Sequence, residues 1–327
     1  MQKIYIILAH ENPQQLNRLI SKLNDSCSFF YVHIDLKTDI KAFSNVIKSK
    51  NLKFITNRIE GIWGDFNLVQ ATINCLQEVK MDAREGYCIL MSGQDYPLKS
   101  NTVIHNYLEE HKDYDFIDLK PINEVWSPNE LKLRTQFYKF NLSNKKGDYV
   151  LIPFIFSKDF YFRFKYHTKA ILKLLTKAEF NVFRIFKKRK HPFNYSYFGG
   201  SQWWALTSQT VFKILELLEK KPELINFYRF TLIPDELFFQ TILKNLSVEN
   251  YTTKVLPSLT YVNWSRTNCT LPVTFTINDY NELKNIKSNK IFARKFNIKL
   301  DQKILDKLDD DNYLIAIKKD SPLPKSK

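Results

Sequence analysis

The chain has 327 residues, 44% of them hydrophobic and 15% aromatic. That is enough to bury one large core or two modest ones, and too apolar for general disorder. Only 7 glycines and no internal period exclude collagen-like and repeat designs, and a net charge of +15 calls for an anionic partner: nucleic acid, a phosphorylated substrate or an anionic membrane surface.

The first half alternates strand and helix. Residues 4–9 form a β-rich run, and residues 13–23 have helical spacing, with Leu16, Leu19, Ile20 and Leu23 on one face. A second strand covers 29–34 and ends at Asp35. A short helix is expected over 40–47, a strand over 53–55 and a clear helix over 66–79. Residues 87–91 read as a buried strand followed by the turn Ser92-Gly93-Gln94-Asp95. Such alternation predicts an α/β fold, a mixed and mainly parallel sheet covered by helices on both faces. Ligands then sit at the carboxyl ends of the strands, where His10, Asp35 and Ser92 to Asp95 fall.

Between 151 and 193 the character changes. Eleven Lys and Arg residues, from Lys158 to Lys190, face only Asp159 and Glu179, and phenylalanines are interleaved with them. The densest run is Lys187, Lys188, Arg189 and Lys190. A helix is expected over 169–180, and the segment reads as an insertion in one domain spanning 1–300. Beyond it, 202–206 reads as a strand, 209–218 and 234–243 as helices, and 259–262 as a short strand. Residues 301–327 read as a C-terminal helix and a tail, mostly Pro, Lys and Ser from Ser321, that frays.

Targeting signals are lacking in this reading. The run 4–9 is too short for a signal-peptide core, and no stretch reaches the ~18 apolar residues of a membrane span. Cys27, Cys75, Cys88 and Cys269 form no CxxC pair, so no zinc or redox motif is expected. The expectation is a cytoplasmic protein, peripheral on the inner face of the membrane if the basic segment docks there.

Several motifs carry chemistry together: Ser92-Gly93-Gln94-Asp95-Tyr96-Pro97-Leu98-Lys99, Gly200-Ser201-Gln202-Trp203-Trp204, Pro234-Asp235-Glu236-Leu237-Phe238 and Phe292-Ala293-Arg294-Lys295-Phe296. With Tyr31-Val32-His33-Ile34-Asp35 and Trp63-Gly64, their order resembles the Core-2/I-branching N-acetylglucosaminyltransferases and peptide O-xylosyltransferases, glycosyltransferase family 14. The resemblance runs from about residue 4 to 296 and fades across the basic segment.

It implies a GT-A, Rossmann-like fold and an inverting transfer of N-acetylglucosamine or xylose from a UDP-sugar to a hydroxyl of a glycan acceptor, lipid-linked among the options. No divalent metal or other cofactor is implied. Glu236 matches the catalytic base, and Arg294 and Lys295 match the basic pair that faces the diphosphate in the xylosyltransferase branch. His10, Asp35, Trp63 and Asp95 fall on the UDP side, and Gln202, Trp203 and Trp204 on the sugar and acceptor side.

The residues support this chemistry on their own terms. Transfer needs a carboxylate to take the acceptor proton and positive charge against the departing diphosphate. Acidic residues at 235 and 236 would also suit a helix N-terminus. Adjacent strand residues face opposite ways, so at most one of Trp203 and Trp204 should line the site. Asp113-Tyr114-Asp115 is formally a D-x-D triplet but precedes an apolar run, and Asp309-Asp310-Asp311 reads as a solvated charge run. An arginine that the branching enzymes carry upstream of the Arg-Lys pair has no clear counterpart, with Arg266 the nearest substitute. The competing readings are a nucleic-acid-binding protein and a non-catalytic glycan-binding module. No helix-turn-helix, RRM, KH or zinc pattern accompanies the charge, so nucleic acid is not expected as a partner.

Overall fold

The structure, a computed structural model, describes residues 1–287 and 289–310. Seven strands build the main sheet: β1 (Gln2–Ala9), β2 (Ser28–Ile34), β3 (Leu52–Phe54), β4 (Gly86–Ser92), β5 (Tyr114–Phe116), β6 (Ala205–Thr207) and β7 (Lys254–Leu256). Their spatial order is β7-β5-β6-β4-β1-β2-β3. Pairing is parallel throughout except at β6, which runs against both β4 and β5. This is the mixed, mainly parallel sheet of a GT-A glycosyltransferase fold.

The pleat of β1 sorts its side chains between two cores. Tyr5, Ile7 and Ala9 enter one, with the helices Pro13–Leu23 and Lys303–Asp310. Ile4 and Ile6 enter the other, with the helices Asn67–Met81, Ser208–Lys220 and Phe238–Asn245. Both faces of the sheet are thus covered. The crossovers place the loops after β1, β2, β4 and β5 at one edge. Because β6 is antiparallel, its start rather than its end lies at that edge, which brings in Gln202 and Trp203. Residues 202–204 themselves lie outside the strand, which is shorter than the 202–206 run predicts.

A three-stranded sheet joins Thr260–Val262, Phe292–Arg294 and Asp95–Pro97, the last two antiparallel with Arg294 opposite Asp95. A third core lies under the basic segment. The hairpin Tyr138–Asn141 and Tyr149–Ile152 packs there with the helices Lys158–Phe162 and Phe164–Thr176 and the 3₁₀ turn Phe180–Phe186.

Some expectations need correction. The single helix expected over 234–243 is broken into a 3₁₀ turn, Pro234–Glu236, and an α-helix starting at Phe238. The helix expected over 169–180 runs instead over Phe164–Thr176. Asp309 is not a solvated charge: it pairs with Arg18 and Lys22 and accepts from the Tyr96 hydroxyl at 2.8 Å. The tail from Ser321 lies outside the described residues.

Candidate active site

A cleft of about 1190 Å³ opens at the edge where the strand ends gather. Its walls include His10, Asp35 and Trp63 from the loops after β1, β2 and β3, and Ser92 to Gln94 after β4. Gln202 and Trp203 enter before β6, Asp235 and Glu236 from the 3₁₀ turn, and Arg294 and Lys295 from the small sheet. Eight of the ten residues that the sequence singled out therefore meet in one cleft.

The other two are corrections. Asp95 is fully buried and does not line the cleft. Its carboxylate accepts from the Ser92 amide and hydroxyl at 2.9 Å each, and from Arg294 Nη1 at 2.8 Å. Burial raises its pKa, and Arg294 and Ser92 oppose that rise. Asp95 thus holds Arg294 from behind. Trp204 packs into the core against Phe239, with ring centroids 5.0 Å apart. Only Trp203 faces the cleft, and the Arg294 guanidinium lies 4.6 Å over its ring.

Among the cationic side chains of the cleft, Arg294 also donates to the Ser92 hydroxyl. Burial and the neighbouring Arg294 and Lys146 lower the Lys295 pKa, while Glu11 opposes them. Lys146, from the turn of the hairpin, lies 5.1 Å over the Trp63 ring and lines the same cleft. Three cations, two from the small sheet and one from the hairpin turn, therefore converge where an anionic group could dock.

Among the acidic residues of the cleft, Glu236 Oε2 accepts from Arg134 Nη2 at 3.1 Å. Burial raises the Glu236 pKa, and the Arg134 charge and hydrogen bond pull against it. Arg134 is itself fixed: Nη1 donates to the Ile233 carbonyl at 3.2 Å, and its guanidinium stacks 4.0 Å over Trp126. Asp235 is more deeply buried, and burial together with the Glu236 charge pushes its pKa up to about 7. Two glycines let this corner close. A Cβ at Gly199 would stand 2.4 Å from the Trp126 ring. Gly64, at φ +70°, offers its carbonyl to the Ile233 amide at 3.1 Å and so ties the Trp63 loop to the 3₁₀ turn.

The Asp35 carboxylate accepts from the amides of Lys37 and Gly61, at 2.9 and 2.8 Å. Neither carboxylate of the D-x-D triplet lines the cleft. Asp115 is buried on β5 and accepts from the Thr207 amide at 2.7 Å and the Thr210 hydroxyl at 2.6 Å. Arg266 forms ion pairs with Asp279 and Glu282, both at 2.7 Å, and is not a cleft residue. Among the described residues no three His, Cys, Asp or Glu side chains are grouped to hold a metal ion.

The sequence reading missed Arg134 and Lys146. The capping box of Ser127 and Glu130 marks the helix Pro128–Thr135 that carries Arg134, but nothing local links it to a carboxylate 102 positions away. Lys146 sits in a polar turn, Asn144-Lys145-Lys146-Gly147, that reads as an ordinary hairpin tip.

The chain is 24% identical to human (Homo sapiens) xylosyltransferase 2 over 328 residues, covering 93% of this chain and 33% of that protein. It is 22% identical to xylosyltransferase 1 of Rattus norvegicus over 335 residues, covering 94% and 35%. The chain thus spans about a third of the length of the curated relatives it matches. A sequence model described as Core-2/I-branching enzyme matches residues 4–287. With that match over most of its length, the chain belongs to the Core-2/I-branching enzyme family of glycosyltransferases.

Proposed function

We propose that this chain transfers a sugar from a UDP-sugar to a hydroxyl of a glycan acceptor, with inversion and without a divalent metal. The observation that carries the reading is one cleft lined both by an arginine-held carboxylate and by a cationic cluster. In a single displacement, the acceptor oxygen bonds to the anomeric carbon from the face opposite the leaving group. Glu236 takes the hydroxyl proton as the bond to UDP breaks. The charge left on UDP falls to Arg294 and Lys295. Both line the cleft, but Glu236 suits the base role better than Asp235, because the Arg134 hydrogen bond favours its ionised form while burial and the Glu236 charge push the Asp235 pKa up to about 7.

On this reading Asp35, His10 and Trp63 serve the nucleoside, and Trp203 and Gln202 serve the sugar and acceptor. A cleft of this size has room for donor and acceptor together. The donor is xylose or N-acetylglucosamine, with xylose favoured by the likeness to xylosyltransferases.

The test is turnover of UDP-xylose and UDP-N-acetylglucosamine, with the product anomer read by NMR. Glu236→Gln should lose roughly 10²–10⁴-fold in rate and still bind UDP. Near-normal turnover by that variant, or a retained anomeric configuration, would overturn the assignment.

A further inference from the structure

Half of the large hydrophobic side chains that stand exposed among the described residues fall between 156 and 186. The reason is geometric. In the 3₁₀ turn Phe180–Phe186, side chains three apart eclipse one another. Val182 and Ile185 therefore enter the third core, while Phe180, Phe183 and Phe186 form a row on the outside. Phe183 and Phe186 stack, with centroids 6.4 Å apart. Phe156 extends the apolar surface: it packs on Phe154, and Lys188 lies 5.9 Å from the Phe154 ring. Phe162 is the most exposed of all, at 90%.

Cations surround these rings. Lys187, Lys188 and Lys190 are exposed beside the row. The two acids of the segment are already engaged: Asp159 pairs with Lys132 at 2.6 Å, and Glu179 caps the 3₁₀ turn through the Asn181 amide. Arg189 departs from the sequence expectation. It is buried, donating to the carbonyls of Arg134 and Phe227 and to the Thr231 hydroxyl, so it is no part of the surface.

We propose that this face, the 3₁₀ phenylalanine row with Phe156 and the flanking lysines, docks on an anionic lipid bilayer. Aromatic rings prefer the boundary between headgroups and acyl chains, and exposed lysines complement anionic headgroups. Among the described residues no helix is long and apolar enough to cross a membrane, so this face would act as a surface contact. The hairpin that completes its core also sends Lys146 into the cleft, so docking would bring the cleft close to a lipid-borne acceptor.

The experiment is co-sedimentation of the full chain with vesicles of phosphatidylcholine alone or with about 30% phosphatidylglycerol added as the anionic lipid. The expected result is binding to the anionic vesicles only, weakening as salt rises. Lys187→Ser/Lys188→Ser/Lys190→Ser should lose roughly hundredfold in partitioning. Phe180→Ser/Phe183→Ser/Phe186→Ser should lose at least about tenfold at low salt. Each variant should keep the wild-type melting temperature and UDP binding, and Glu236→Gln should bind vesicles like the wild type, which separates this proposal from the catalytic one. If the triple phenylalanine variant does not fold, Phe183→Trp replaces it: its added fluorescence should shift blue on anionic vesicles and be quenched by brominated acyl chains. Three outcomes would overturn the proposal: wild type left in the supernatant at low salt, equal binding by the triple phenylalanine variant, or fluorescence of the Phe183→Trp protein that lipid neither shifts nor quenches. So would a dimer that the triple phenylalanine variant dissociates, since the occupant would then be a second copy.

Discussion

Arg134 and Glu236 set opposing demands on one carboxylate. A base must be ionised at working pH yet basic enough to take a proton. Burial raises the Glu236 pKa, which favours proton uptake, and Arg134 keeps the rise from going too far. The sign of the pH effect follows. With Glu236 as the proposed base, activity needs it ionised, so activity should fall as pH drops through a pKa above the ordinary glutamate value. Removing Arg134 leaves burial unopposed and raises that pKa further. Arg134→Met should therefore move the acidic limb of the kcat/KM profile to higher pH, with part of the rate recovered in alkaline buffer. Arg134→Lys should restore part of the shift. A purely structural role would lower the rate at every pH and leave the limb in place.

The elements decide how much was legible beforehand. The helices Pro13–Leu23 and Asn67–Met81 follow from helical apolar spacing, and strands β1, β2 and β4 from short apolar runs that are buried on both faces of the sheet. The break at Leu237 does not. Its φ of −131° separates the 3₁₀ turn from the helix, and an apolar pattern that continues through it reads as one helix. The break tips Asp235 and Glu236 into the cleft wall. Placement of Asp95 also needed the sheet: only pairing of Phe292–Arg294 with Asp95–Pro97 sets it behind Arg294. That pairing makes a prediction. If Asp95 acts through Arg294, Asp95→Asn and Arg294→Ala should each weaken UDP binding, and the double variant should be little worse than Arg294→Ala alone. Calorimetric titration of UDP against the four proteins measures the coupling. Additive losses would show that Asp95 acts on its own.

Across the whole molecule, positive charge is divided between two tasks. The lobe over the third core carries much of the +15 surplus on its surface, while Arg294, Lys295 and Lys146 reach the cleft from the small sheet and the hairpin. A leaving diphosphate needs compensation, and fixed side-chain cations can supply in a low-dielectric cleft what a divalent ion supplies elsewhere. The D-x-D carboxylates are spent differently. Asp115 joins β5 to the start of the helix Ser208–Lys220 through Thr207 and Thr210, and Asp113 is exposed. Transfer should therefore persist in excess EDTA, and Asp113→Asn should turn over like the wild type. Asp115→Asn should instead cost about 1–3 kcal/mol of stability, because an amide cannot accept from both donors as the carboxylate does. A thermal melt reads that loss. Lys295→Ala should weaken UDP binding equally with and without manganese if, as proposed, the lysine and not an ion meets the phosphates. Rescue of Lys295→Ala by manganese, or loss of wild-type activity in EDTA, would return the carboxylates to the role of metal ligands.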